Sequence, residues 1–344
     1  MPIALVHSRD VPDKITALNK NVPGSAVPFP SSSAASAARE PKVAVLLCTY
    51  CGQTYLPQQL DSIADQRYKN WLVLTSNDDN QDATWALLES YKNKWGANKI
   101  STIAGPQKGF VANFLSLASK AVGLADYYAY SDQDDVWDDD KLLRAVTWLK
   151  SVPKDTPALY CSRTRLIDEH NRSIGLSPLF SKPPHFANAL IQNIGGGNTM
   201  VFNDAACRII ALGEDTGVVI HDWWAYMAVT GCGGRVFYDP QPSLSYRQHT
   251  SNLIGDNMGF RSRIRRIFMI FAGCHKKWND RNIKALRLLG DKLTQENKRT
   301  LDLFDEARSQ PLFKRLIGIK RSGVYRQTFF GSLGLLVAAI FKKL

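Results

Sequence analysis

The sequence predicts an α/β protein built on a mostly parallel sheet with helices on both faces. Between Lys42 and Leu149 four apolar runs alternate with four segments of helical spacing, and strand alternating with helix is the pattern of parallel βαβ units. The first run, KVAVLLC (Lys42 to Cys48), is continuously apolar and β-branched, as expected of a strand covered on both faces. Polar or acidic loops follow the first, second and fourth runs. Such sheets bind ligands at the C-terminal ends of their strands.

Residues 1–40 end in NVPGSAVPFPSSSAASAARE, a mixture with little to bury, and are expected to be a flexible extension. After the first strand, Leu56, Leu60 and Ile63 recur at helical spacing. WLVLTS (Trp71 to Ser76) is the second strand, Asp82 an N-cap, and Trp85, Leu88, Tyr91 and Trp95 mark the face of the next helix. KISTIAG (Lys99 to Gly105) and the helix from Asn113 to Val122 come third. DYYAYS, the fourth strand, leads through an acidic loop into a helix carrying Leu142, Leu143, Val146 and Leu149. Beyond residue 158 the rhythm changes: ALYCSRTRLID reads as a strand, IGGGNTMVFN as a glycine-rich turn entering a strand, and HDWWAYMAVTGC as a helix.

The 344 residues, 44% of them hydrophobic, suffice for one large or two modest domains. No apolar run reaches the roughly 18–20 residues of a membrane span, the N-terminus lacks the order of a secretory signal, and TFFGSLGLLVAAIF from Thr328 is too short to cross. A cytoplasmic protein is expected. The 6 cysteines include a single CxxC, Cys48 and Cys51; zinc sites want a second pair, so these read as structural thiols. The net charge of +12 is uneven, because the chain from Arg261 onward holds 20 Lys and Arg against 6 acidic residues. A neutral body with a basic end lacks the basic core and aromatic platforms of a nucleic-acid module, and no nucleic-acid partner is expected.

SDQDDVWDDDKL carries the densest charge. Asp132, Asp134 and Asp135 stand at the mouth of a strand, where carboxylates can hold a hard cation whose other ligands come from a substrate's phosphates. Asp138, Asp139 and Asp140 precede a helix and are expected to satisfy its free N–H groups. A calcium loop is excluded, since positions six and twelve from Asp132 are Trp137 and Leu143 rather than Gly and Glu. In SNDDNQD, Asp78 or Asp79 could bind a base or ribose. Asp222 with His221 before it is an N-cap or a general base, and in YRQHTSN Arg247 and His249 could supply a phosphate contact and a metal ligand. No GxGxxG or GxxxxGK[ST] follows the first strand, which speaks against a dehydrogenase or a P-loop ATPase.

Taken together, VAVLLCTYCGQTYLPQQLDSIADQ, NDDNQDAT, SDQDDVWDDDKL, GGGNTMVFN and HDWW followed by YDPQPSLSYRQHTSNLIG resemble the family 2 glycosyltransferases of GT-A fold. The likeness is to the rhamnosyltransferase-like members that build bacterial surface polysaccharides. It implies a nucleotide-sugar half at 41–140 and an acceptor half at 141–258, with Thr49, Tyr50, Asp78, Asp132 and Arg247 at the donor. It further implies Asp134, Asp132 and His249 at a Mg²⁺ or Mn²⁺ ion, Gly196, Gly197, Asn198 and Trp223 at the acceptor, and Asp222 as the base of an inverting transfer. The implied donor is a nucleotide-diphosphate sugar, dTDP-rhamnose favoured, and the implied acceptor a saccharide or a lipid-linked one. A catalytically silent relative that binds nucleotide sugar or scaffolds an assembly complex is the other reading; the intact Asp134 and Asp222 argue against it. The chain departs from the family at Asn77, where relatives often have Asp, and at Cys51, where they commonly have Asn. It has no QxxRW segment, which speaks against a processive synthase. Residues 259–344 read as a basic amphipathic helical tail, expected to dock on the anionic inner face of the membrane.

Overall fold

Seven consecutive buried residues form β1 (Val43–Thr49), and the sheet is built outward from them. The structure, a computed structural model, describes residues 39–79, 83–249 and 274–344, all belonging to one unit that spans residues 34–344. β2 (Trp71–Asn77) and β4 (Tyr127–Ser131) flank β1 in parallel, and β3 (Ile100–Ala104) continues the parallel order beyond β2. On the other side β8 (Val201–Asn203) runs against β4, β6 (Ala158–Ile167) against β8, and β9 (Arg235–Arg247) parallel to β6. Two short strands, β5 (Val136–Trp137) and β7 (Ser173–Leu176), pair antiparallel to β9 and β6. The predicted mostly parallel sheet is therefore present, with an antiparallel insertion at β8.

The two-residue alternation of side chains along a strand sorts the core into two layers. Val43, Val45 and Leu47 face α1 (Leu56–Ala64), α2 (Thr84–Trp95) and α4 (Lys141–Leu149), meeting Leu60, Ile63, Leu88 and Val146 in one buried cluster. Along β4, Ala129 joins that cluster, whereas Tyr130 meets Phe114 of α3 (Phe110–Ala121) with ring centroids 5.1 Å apart. α3 packs with α6 (Asp204–Ala211) and α7 (His221–Gly231); a one-turn helix, α5 (Phe186–Ala189), adjoins α7. The registers Thr49 opposite Asn77 and Leu47 opposite Ser131 bring β1, β2 and β4 to their ends almost together. Their three following loops open on one crevice.

Some elements differ from expectation. α3 begins at Phe110 rather than Asn113, because Gly109, at φ +86°, turns the chain into the helix. β9 was not legible, since Asp239-Pro240-Gln241-Pro242 interrupts its pattern. Its register with β6 shifts opposite that segment, and irregularities of this kind are where a sheet tolerates proline. Asp82, expected as an N-cap, lies outside the described residues, as do residues 1–38 and 250–273, the latter including FRSRIRRIFMIF.

The described part of the basic end is four helices, α8 (Cys274–Leu288), α9 (Gln295–Ser309), α10 (Leu312–Arg321) and α11 (Phe329–Ile340). They do not trail from the sheet domain but pack on it as part of the same unit. The amide of Asn297 donates to the carbonyls of Thr230 and Gly231, 3.0 Å each, and so completes the C-terminal end of α7. The Arg281 guanidinium donates to the carbonyls of Gly217 (2.7 Å) and Val218 (3.0 Å), while Leu286 and Phe304 are buried. Among the described residues no helix is long and apolar enough to cross a membrane.

Asn203 ties these layers together. Its Oδ1 accepts from Ala206, the N-cap bond of α6, and from Ala158 at the start of β6. Replacing it by alanine removes a cap and leaves a buried strand N–H unpaired. Asn203→Ala is expected to lower stability by about 2–4 kcal/mol, read by urea denaturation.

Candidate active site

At the end of β1, buried Thr49 donates its hydroxyl to Asn77 Oδ1 (3.0 Å), and Asn77 Nδ2 donates to the Asp79 carbonyl (2.7 Å). Asn77, where the family often has Asp, is thus used to hold two loop ends in place. Tyr50 follows, 61% exposed at the crevice. Gln133, from the loop after β4, grips its backbone on both sides: the Tyr50 N–H donates to Oε1 (2.8 Å) and Nε2 donates to the Tyr50 carbonyl (2.9 Å). A Cβ on Gly52 would lie 2.3 Å from Gln133 Oε1, so this clamp requires glycine there. Cys51 takes φ +48°, the left-handed region that asparagine tolerates better than cysteine.

Asp78 ends β2. Its Oδ1 accepts from the Gln107 amide (2.6 Å) and its Oδ2 from the Gly109 amide (3.1 Å), which fastens the loop between β3 and α3. Both carboxylate oxygens, expected at a base or ribose, are engaged by the protein.

Beyond β4 the aspartates separate by environment. Burial, then the charges of Asp134 and Asp222, push the Asp132 carboxyl up to about 8. Asp134 Oδ2 lies 2.9 Å from His249 Nε2, and the His249 ring stands 5.1 Å from that of Tyr55. Asp135 is fully buried, accepts from Asn198 Nδ2 (2.6 Å) and from the Arg247 amide (3.3 Å), and is raised well above the usual carboxylate range by burial and by Asp134 and Asp132. Buried Lys141 donates to the Asn198 carbonyl (2.8 Å), lies over the Trp137 ring, and is lowered by burial to about 7.

Asp138, Asp139 and Asp140 depart from their expected part as helix caps. The helix α4 has no side-chain cap bond; instead Asp138 pairs with Arg165 (3.0 Å), Asp139 with Arg67 (3.0 Å) and Asp140 with Arg144 (3.7 Å). Arg165 and Arg67 come from other elements and Arg144 from the second turn of α4 itself; a charged fork satisfies a carboxylate better than one amide does.

Arg247, expected at the donor diphosphate, is 1% exposed. Its guanidinium donates to the Asp134 carbonyl (3.0 Å) and to Gln58 Oε1 (2.6 Å), and it stacks over Tyr55. In this structure it braces the loop that carries Asp134.

Across the crevice, Asp222 stands in the first turn of α7 with Ile220 as the N-cap. Its Oδ2 accepts from the Gly197 amide (3.1 Å), its Oδ1 from the Trp223 amide, and the Asn193 side chain bonds to it as well. Burial outweighs these bonds and raises the carboxyl to about 6. His221 does not share in this: it stacks on Phe114 at 4.1 Å, meets Tyr130 edge-on, and is kept neutral by burial, lowered to about 3. A Cβ on Gly197 would come within 2.4 Å of His221 Nε2. Glycine is what lets the turn approach both His221 and Asp222. Gly196 is exposed, while Asn198 and Trp223 are buried, the Trp223 indole donating to the Ala189 carbonyl (2.6 Å).

Residues 44–208 match the sequence model of Glycosyl transferase family 2. The chain carries a family 2 glycosyltransferase domain. It is 26% identical over 253 residues to the dTDP-rhamnosyl transferase RfbG of Shigella flexneri, covering 70% of this chain and 83% of that protein. It is 22% identical to the uncharacterized glycosyltransferase RT0329 of Rickettsia typhi, over 61% of this chain and 64% of the relative. Among solved structures it is similar to residues 1–349 of S. aureus TarS in complex with UDP-GlcNAc, with a TM-score of 0.49 and 13% identity over 83% of this chain and 93% of that one. The glycosyltransferase has the GT-A arrangement that the resemblance implies: four parallel strands continued by an antiparallel one, with carboxylates directly after β4.

Gln133 and Asn193 are the positioning residues that sequence reading missed. Gln133 lies inside the acidic motif, but amide-to-backbone pairing has no pattern in a sequence. Asn193 lies in a loop with no signal.

The division of the aspartates is measurable. Asp139→Ala removes an exposed pair with Arg67 and is expected to change stability by less than about 1 kcal/mol. Asp135→Ala strands Asn198 and the buried Lys141 and is expected to cost about 3–5 kcal/mol. Urea denaturation of the two variants reads the contrast.

Proposed function

We propose that this glycosyltransferase performs an inverting, metal-dependent transfer of rhamnose from dTDP-rhamnose to a saccharide or lipid-linked acceptor in bacterial surface-polysaccharide synthesis. The observation that carries the reading is the placement of Asp222. Its buried carboxylate, fixed by the Gly197 and Trp223 amides and by Asn193, stands close enough to Asp132 that its charge, after burial and Asp134, helps to raise Asp132. Asp222 takes the proton of an acceptor hydroxyl, the hydroxyl oxygen forms a bond to the anomeric carbon, and the bond from that carbon to the diphosphate oxygen breaks with its electron pair on the leaving nucleotide. One displacement inverts the anomeric centre. The 26% identity to a dTDP-rhamnosyl transferase supports the choice of donor.

The residues at the end of β4 fit a divalent cation. Asp132 and Asp134 stand together there, and the charges of Asp134 and Asp222 both raise Asp132, so the site offers a cation one or two carboxylates. That suits Mg²⁺ or Mn²⁺, which take one or two carboxylates and complete their shell from phosphates and water. Asp134 and Asp132 would supply those carboxylates, with His249 beside Asp134, and the ion would neutralise charge on the departing diphosphate. Thr49 and exposed Tyr50 line the nucleoside side, where Asp78 acts by fastening the neighbouring loop. Arg247 supports Asp134 from behind. Gly196, beside Asp222, is where the acceptor enters.

Thermal shift with nucleotide sugars, with and without Mn²⁺, tests donor and metal together: dTDP-rhamnose is expected to stabilise the enzyme only with the metal, and Asp134→Ala to lose that shift. Asp222→Asn is expected to keep the shift while transfer falls by about 10²–10⁴-fold. Transfer as fast as wild type would remove Asp222 from the base role. Because the base must be ionised and its carboxyl is raised to about 6, kcat/KM is expected to be level above that pH and to fall toward tenfold per unit below it.

A further inference from the structure

α10 and α11 pack on one another at the end of the chain, and each leaves an apolar ridge uncovered. On α11, Phe329, Leu333, Leu336 and Ile340 follow one helix face, with Phe330 alongside; all are exposed, Phe329 at 79% and Phe330 at 81%. Ala338 and Ala339, on the other side of the helix, face the protein. On α10, Phe313 (79% exposed) and Ile317 stand one turn apart, sharing their solvent side with Lys314, Lys320 and Arg321. Single exposed apolar residues are ordinary on a protein surface, whereas a grouped set of aromatics marks an interaction site.

Charge selects the occupant. From Pro311 to Leu344 the chain has 7 Lys and Arg and no acidic residue. A second copy of the chain would set one such surface against another. We propose that α10 and α11 dock the enzyme on an anionic lipid bilayer, the phenylalanines entering the headgroup region while the surrounding lysines and arginines meet lipid phosphates. The helices lie parallel to the surface rather than across it, since neither is long enough to span.

The connection to the crevice is short. In the segment between α10 and α11, the Gln327 amide donates to Gln192 Oε1 (2.8 Å) and Arg326 reaches the Ile191 carbonyl. The next residue, Asn193, is the one bonded to Asp222. Docking therefore sets the acceptor side of the crevice beside the bilayer, a placement that rests on the transferase reading although the docking itself does not.

Flotation of the full chain with vesicles of phosphatidylglycerol and phosphatidylcholine, against phosphatidylcholine alone, tests this, with a Phe313→Ser, Phe329→Ser, Phe330→Ser variant as partner. The three side chains are exposed, so the variant is expected to keep the melting temperature and the nucleotide-sugar shift of the wild type. Wild type is expected to float with the anionic vesicles, at least about tenfold less with the neutral ones, and the variant to lose about tenfold or more of the anionic binding. Equal binding by variant and wild type, or no binding to anionic vesicles, overturns the proposal. So does a lipid-free dimer, by light scattering, that the variant loses, because the face would then belong to a second copy. Failed flotation with an intact nucleotide-sugar shift sinks the docking alone; flotation without any nucleotide-sugar shift sinks the transferase reading and leaves the docking standing.

Discussion

The hydrogen bond from Asn198 Nδ2 to Asp135 Oδ2, 2.6 Å long and buried, is the contact on which the rest of the site depends. Asp135 follows Asp134, which faces His249. Asn198 follows Gly197, whose amide holds Asp222. Lys141 closes the arrangement by donating to the Asn198 carbonyl, and the Arg247 amide adds a second bond to Asp135. The distance between Asp134 and Asp222 is thereby set by a few bonds in a low-dielectric interior, where each is strong and each is costly to lose.

Crowding of negative charge becomes intelligible once the environments are separated. Asp132 and Asp134 keep an opening to the crevice and retain their mutual repulsion, which makes them suited to a cation. Asp135 gives up solvent altogether in exchange for an amide, a backbone N–H and the nearby lysine. Asp138 and Asp139 are spent on arginines of β6 and of the loop after α1, and Asp140 on Arg144 within α4. Neighbours in sequence have three different jobs because they point into three different surroundings.

The helical C-terminal segment is part of the same compact unit as the sheet. By filling the end of α7 through Asn297 and bracing the 217–218 turn through Arg281, it supports the helix that carries Asp222. The same segment leaves its aromatic ridges outward. The two features fall to different helices: α8 and α9 brace α7 and the turn before it, while α10 and α11 leave the apolar surface outward.

The sequence by itself determined the sheet, the strands that end at the crevice, and the acidic and HD motifs, because buried parallel strands are written as local apolar runs and the motifs as contiguous residues. α1, α2 and α4 were legible from spacing for the same reason. β9 was not, because its prolines break the local pattern and only the register shift against β6 accommodates them. Nor could local reading show that Arg247 faces carbonyls, that Asp78 fastens a loop, or that Gln133 and Asn193 hold Tyr50 and Asp222. Those pairings join residues far apart in the chain, up to 189 positions for Arg247 and Gln58. Which polar group meets which is settled by the approach of separate elements in a buried space, and only the tertiary structure decides that.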